Sequence, residues 1–189
     1  MKRLFFPVLV LFLLLSSCSA PDLHPEWDES WVRIGDHIGV EPMEGFSPDE
    51  ANDTLSLSGI YYYTWTCGAG QAYVNAKGEN AEVYDAVIYV LLQECGSAEE
   101  AERNVSDWLS LEAQTYSAGD ARIISIGGQE YHILVLNAGS EANPYNCGAA
   151  AFAARDGLAV SVELLCTDRF EGDAQETVTR FIAGFHYGD

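Results

Sequence analysis

Positive charge is scarce in this chain: 9 Lys and Arg stand against 29 Asp and Glu, for a net charge of −20. Such a field opposes nucleic acid and anionic lipid head groups, so no nucleic-acid partner is expected. Signature motifs are missing too. Without a GxSxG elbow, the usual α/β-hydrolase nucleophile is absent. Without a P-loop or GxGxxG, nothing cradles nucleotide phosphates. No CxxC knuckle or HxxxH pair supplies a common metal-ligand spacing. Asp168, Glu171 and Asp173 miss the EF-hand pattern. Beyond the amino end the longest apolar run is Ala86 to Leu92, the length of a buried strand and too short to span a membrane. Internal repeats and low-complexity segments are absent, and no cofactor is expected.

The amino end is richer in signal. Met1, Lys2 and Arg3 make a positive start, and Leu4 to Leu15 is apolar except where Pro7 interrupts it. That run falls short of the roughly 20 residues of a spanning helix and fits a secretory signal. Leu15-Ser16-Ser17-Cys18 follows. These residues resemble the lipobox of bacterial lipoprotein precursors, an aliphatic residue and two small residues before a cysteine. The resemblance covers residues 1–18. It implies a signal peptide over 1–17, lipid on Cys18, and an anchor on the extracytoplasmic side of a bacterial membrane. Two or three acyl chains hold a protein almost permanently, at about 0.8 kcal/mol per buried methylene.

Removing residues 1–17 takes away Lys2 and Arg3 but no acid, so the mature chain has 172 residues and a net charge of −22. Residues 18–30 read as a membrane tether. Residues 31–189 read as one domain, long enough to bury a normal core. Trp27 and Trp31 could instead pack the tether onto that domain. Four further cysteines, Cys67, Cys95, Cys147 and Cys166, suggest two disulfides in an exported chain. Three connectivities are possible, and four-cysteine metal binding is a rival with long spacings against it. A two-residue turn at Asp156-Gly157 would set Cys147 opposite Cys166. Cys67 would pair with Cys95 if both follow strands running the same way.

Ser47-Pro48-Asp49-Glu50 has the chemistry of a short helix start. Ile60 to Thr66 reads as a strand, as does Glu82 to Gln93. Ser97-Ala98-Glu99-Glu100 is a capping box, followed by a helical stripe of Ala101, Val105, Trp108 and Leu109. Arg122 to Ile126 with Glu130 to Leu136, and Gly148 to Arg155 with Leu158 to Cys166, read as hairpins around Gly127-Gly128 and Asp156-Gly157. In the second, alanines face Val160, Val162 and Leu164, so small and large side chains should interlock. Asp173 caps a final helix with a stripe of Val178, Phe181, Ile182 and Phe185. The class is α+β: a mostly antiparallel sheet of about six to seven strands covered by two amphipathic helices. The closing hairpin and helix are similar in element order to PsbP-like α/β sandwiches, and no motif carries a function across.

Candidate sites are few. His37 beside Asp36, with Glu41 and Glu44, reads as surface polarity with metal ligation as its rival. Cys67-Gly68-Ala69-Gly70 looks like a nucleophile turn, but no neighbouring base accompanies it. Carboxylate pairs cannot be read for glycosidase chemistry, because their separation is three-dimensional. On a strand, Tyr61, Tyr63 and Trp65 share one face and Tyr62 takes the other. That face is either a binding platform for sugars or proteins, or core packing. The leading reading is a non-catalytic binding or interaction module that meets an envelope protein or wall component. A small-ligand or carbohydrate binder and an envelope hydrolase with an unrecognised site are the alternatives.

Overall fold

The computed structural model describes residues 27–49, 59–75, 77–116, 118–137 and 144–188. Along them run β1 (Val32–Ile34), β2 (Ile38–Val40), β3 (Phe46–Pro48), β4 (Ile60–Cys67), β5 (Gln71–Val74), β6 (Asn80–Val83) and β7 (Ala86–Glu94). Helix α1 (Ala98–Thr115), β8 (Arg122–Ile126), β9 (Gln129–Asn137), β10 (Cys147–Arg155), β11 (Leu158–Cys166), helix α2 (Ala174–Ala183) and β12 (Phe185–Tyr187) complete the order. The central sheet has seven antiparallel strands in the order β3-β4-β7-β11-β10-β9-β8. Strands β1-β2-β12 and β5-β6 form two smaller sheets. With a helix packed on each face, the fold is α+β.

Turn chemistry sets both long hairpins. Asp156 and Gly157 take φ of 49° and 81°, and Gly127 and Gly128 take 58° and 82°. Two successive positive φ values are the type I′ turn that matches strand twist, and Asp-Gly tolerates it well. The register that follows puts Ala149, Ala151 and Ala153 opposite Leu164, Val162 and Val160. Small side chains thus meet large ones on the face that takes Val178, Phe181 and Ile182 of α2. Each large apolar side chain buried there contributes about 1.5–3 kcal/mol. On the other face, Ala101 and Val105 of α1 meet Leu134, Leu136, Ala150 and Phe152. Both helices carry the expected caps: Ser97 accepts from the Glu100 amide, and Asp173 from the Glu176 amide.

Several expectations are corrected. Ser47 and Pro48 start no helix: they belong to β3 and pair with Thr66 and Trp65. β3 is an edge strand, where a proline without an N–H is tolerated. Residues 50–58, where that helix would have continued, lie outside the described residues. The long strand expected over Glu82 to Gln93 is two, because the chain leaves β6 at Val83 and enters β7 at Ala86. Phe185 belongs to β12 and packs on the core from there. Residues 1–26, with Cys18 and most of the tether, are outside the described residues. Trp27 is half-buried and Trp31 stacks on His186 at 3.9 Å, so the last part of the expected tether packs on the domain. No helix among the described residues is long and apolar enough to cross a membrane.

Candidate functional site

The two faces of β4 have different fates. Tyr63 and Trp65 point into the α2 side of the sheet and are 5 % and 2 % exposed. Tyr61, on the same side, is half-buried, and its hydroxyl donates to Glu94 Oε1 at 2.9 Å. Of the expected Tyr61, Tyr63 and Trp65 binding face, Tyr63 and Trp65 are therefore core and Tyr61 lies at its edge: α2 lays Phe181 against Trp65 with ring centroids 5.0 Å apart. An aromatic strand beneath an amphipathic helix removes more apolar area from water than one left bare.

Tyr62 faces the opposite way, where coverage is incomplete. Helix α1 packs mainly over β9, β10 and β11 and reaches β7 only at Tyr89 among its packed apolar residues. A half-open groove of about 250 Å³ remains between the helix and the bare part of the sheet. Tyr62 and Tyr89 line its sheet side and stack at 5.7 Å. Trp108 and Leu111 line its helix side. Leu91, Phe152 and Ser161 add to the sheet side, and the lining holds two carboxylates: Glu112 from α1 and Glu163 from β11.

Local geometry explains both acids. Glu112 follows Ala101, Val105 and Trp108 at i+11, i+7 and i+4, the face that α1 turns to the sheet. Glu163 is paired with Tyr89 on β7 and Ala150 on β10, so all three share the α1 face. The Tyr116 hydroxyl donates to the Glu163 carboxylate. Glu163 Oε1 and Glu112 Oε2 are buried and have no hydrogen-bond partner among the described residues. Burial pushes the Glu112 carboxyl up to about 7, and the Glu163 charge adds to the effect. Burial raises Glu163 as well, against the lowering effect of Tyr116. Burial and the nearby Glu163 charge push the Tyr62 hydroxyl up to about 12.

None of the seven basic residues beyond the signal, Arg33, Lys77, Arg103, Arg122, Arg155, Arg169 and Arg180, lines this groove. Arg169 pairs with Asp85, while Arg155 lies over Tyr187 and Arg33 over Trp27. The groove thus combines aromatic walls, two acids and no protein counter-charge. Sequence reading missed it, although one signal was available. Glu163 is the only charged residue within Leu158–Cys166, a strand otherwise suited to burial on both faces.

Two of the histidines sit in separate pairs with acids. His37 Nε2 lies 2.7 Å from Glu94 Oε1, and His186 Nε2 lies 2.7 Å from Glu41 Oε1. No group of three metal-binding side chains occurs among the described residues.

The cysteines are spread along and across the sheet, and none of the four is bonded to another. Cys147 and Cys166 are register partners, as the turn arithmetic requires. Cys67 pairs with Ala86, which pairs with Cys166, so three cysteines share one row and one face. Burial raises the Cys166 thiol, with Cys147 and Cys67 adding to it. Cys95 lies beyond the other end of β7, nine residues long, or about 30 Å of extended chain. The expected Cys67–Cys95 pairing is thus ruled out: β4 and β7 are antiparallel neighbours, so the cysteines that follow them lie at opposite ends.

No protein-family model matches the chain. No curated protein matches it either. Among solved structures, the chain is similar to the solution structure of cyanobacterial PsbP (CyanoP) from Synechocystis sp. PCC 6803, with 13 % identity and a TM-score of 0.47, covering 79 % of this chain and 86 % of that one.

Proposed function

We propose that the protein is a membrane-tethered binding module on the extracytoplasmic side, and that it takes a small ligand in the groove between α1 and β4–β7. Leu15-Ser16-Ser17-Cys18 supports the tether. The groove carries the binding half: an aromatic-walled recess in which two buried carboxylate oxygens lack partners. Buried polar groups without partners are costly, and they concentrate where a ligand completes the set. A Cys147–Cys166 disulfide would brace the hairpin that carries Glu163.

An envelope glycosidase is the reading to weigh against this one, because two carboxyls flank an aromatic recess. That chemistry needs one carboxyl protonated and the other ionised, held so by contrasting surroundings. Burial raises both Glu112 and Glu163, and only the Tyr116 hydroxyl opposes it, at Glu163, so the binding reading stays ahead of hydrolysis.

Leu111 is 60 % exposed at the groove rim, so Leu111→Arg plugs the groove without opening the core. Photo-crosslinking of the lipidated protein in its own membrane should give an adduct with the wild type that Leu111→Arg loses. Undiminished labelling of the plugged variant would remove the groove from the function.

A further inference from the structure

The partnerless atoms in the groove are all acceptors. A carboxylate oxygen accepts and does not donate while ionised, so Glu112 Oε2 and Glu163 Oε1 call for N–H or O–H donors. The Tyr116 hydroxyl is already given to Glu163. An anionic ligand would meet two acids in a recess with no basic side chain in its lining. Above about pH 7, where Glu112 is ionised, a neutral ligand would leave that buried charge uncompensated. Aromatic walls add a second preference, because ring faces attract a cation through their quadrupole. Tyr62, Tyr89 and Trp108 provide three such rings. The long-range field has the same sign, since a net charge of −18 over residues 31–189 steers cations toward the domain. Size narrows the choice. A space of about 250 Å³ is smaller than the usual recess for a drug-sized molecule, and Leu111 adds apolar lining beside the acids.

We propose that the groove between α1 and β4–β7 is a site for a small primary ammonium ligand with an apolar body, whose N–H donors meet Glu112 and Glu163 while its charge and body lie among Tyr62, Tyr89 and Trp108. This rests on the binding reading above and names the ligand class of the same site. The acids supply specificity for charge and the rings supply affinity for the body. Tyr116 positions Glu163 through its hydrogen bond and leaves Oε1 for the ligand.

Phenethylamine and its neutral analogue 2-phenylethanol separate charge from shape. Calorimetric titration uses the full lipidated protein in detergent, at pH 8, where Glu112 is ionised in the empty groove. The amine should bind at least about tenfold tighter than the alcohol, the usual worth of a charge-assisted hydrogen bond. Glu112→Gln with Glu163→Gln should remove that advantage, so that the variant binds amine and alcohol alike. This variant removes buried charge and keeps side-chain volume, and its circular dichroism spectrum should match the wild type. Equal binding of amine and alcohol overturns the ammonium class but leaves the groove a binding site. If neither binds while Leu111→Arg abolishes crosslinking, the ligand class falls and the binding module stands. If neither binds and Leu111→Arg crosslinks like the wild type, both fall.

Discussion

Trp65 and Glu112 are two residues whose roles depend on which side of the sheet they meet. Trp65 is 2 % exposed and packs edge to face on Phe181. Its truncation leaves a ring-sized void under α2, so Trp65→Ala should cost about 3–5 kcal/mol of stability in denaturant unfolding. A loss below about 1 kcal/mol, the range of ordinary surface changes, would contradict its place in the core. Glu112 makes a prediction in pH. Its carboxyl rises from an ordinary 4.5 to about 7 in the folded protein. Between those values the folded state keeps a proton that the unfolded chain releases, so stability falls as pH rises through this window. The contribution is complete below 4.5 and lost above about 7. Glu163 shifts in the same direction. Denaturant midpoints at pH 5 and pH 8 should therefore drop for the wild type and drop less for Glu112→Gln. At pH 8 the variant should be the more stable protein. Parallel pH slopes would show that Glu112 is not desolvated.

Elements carry the next level of organisation. Helix α2 holds the larger core closed, and its first turn depends on Asp173 accepting the Glu176 amide at 2.7 Å. Asp173→Ala should cost about 1 kcal/mol, measured as a shift in the unfolding midpoint, with the groove unaffected. The β10–β11 hairpin sets the cysteine chemistry. Directly opposed residues in an antiparallel pair have Cα atoms about 5.5 Å apart at most, which lies within disulfide range. Cys67 and Cys166 are two strands apart, about 10 Å, and fall outside that range. Oxidation should therefore link Cys147 to Cys166 and leave Cys67 and Cys95 open to alkylation. Non-reducing peptide mapping reads this directly, and a disulfide containing Cys67 would mean the strand order differs.

At the scale of the whole molecule, charge and anchor act together. Residues 31–189 carry 25 acidic against 7 basic residues, a net charge of −18 that is repelled by anionic head groups, while lipid on Cys18 would hold the domain within a short tether of them. Cys18→Ala should block processing, so the precursor accumulates with residues 1–17 attached. Mass spectrometry of the mature amino end decides: an unmodified amino end, or cleavage at another bond, would remove the anchor from this account.

Local chemistry made much of the fold legible. The Ser97 and Asp173 caps, the Gly127-Gly128 and Asp156-Gly157 turns and the Cys147–Cys166 register all follow from residues a few positions apart. A two-residue turn propagates its register along a hairpin because side chains alternate with period two. Tertiary structure decided what distant segments do. Placing β7 between β4 and β11 brings together strands separated by long stretches of chain, and no local pattern encodes that choice. It buried Tyr63 and Trp65 and separated Cys67 from Cys95. It also set Glu163 beside Tyr89, beneath a helix that covers only part of the sheet. Closing a longer loop costs little extra, so the neighbour of each strand is selected by how faces pack across the whole core rather than by nearness in sequence. The groove exists because α1 packs mainly on β9, β10 and β11 and covers Tyr62 of β4 and Tyr89 of β7 only in part.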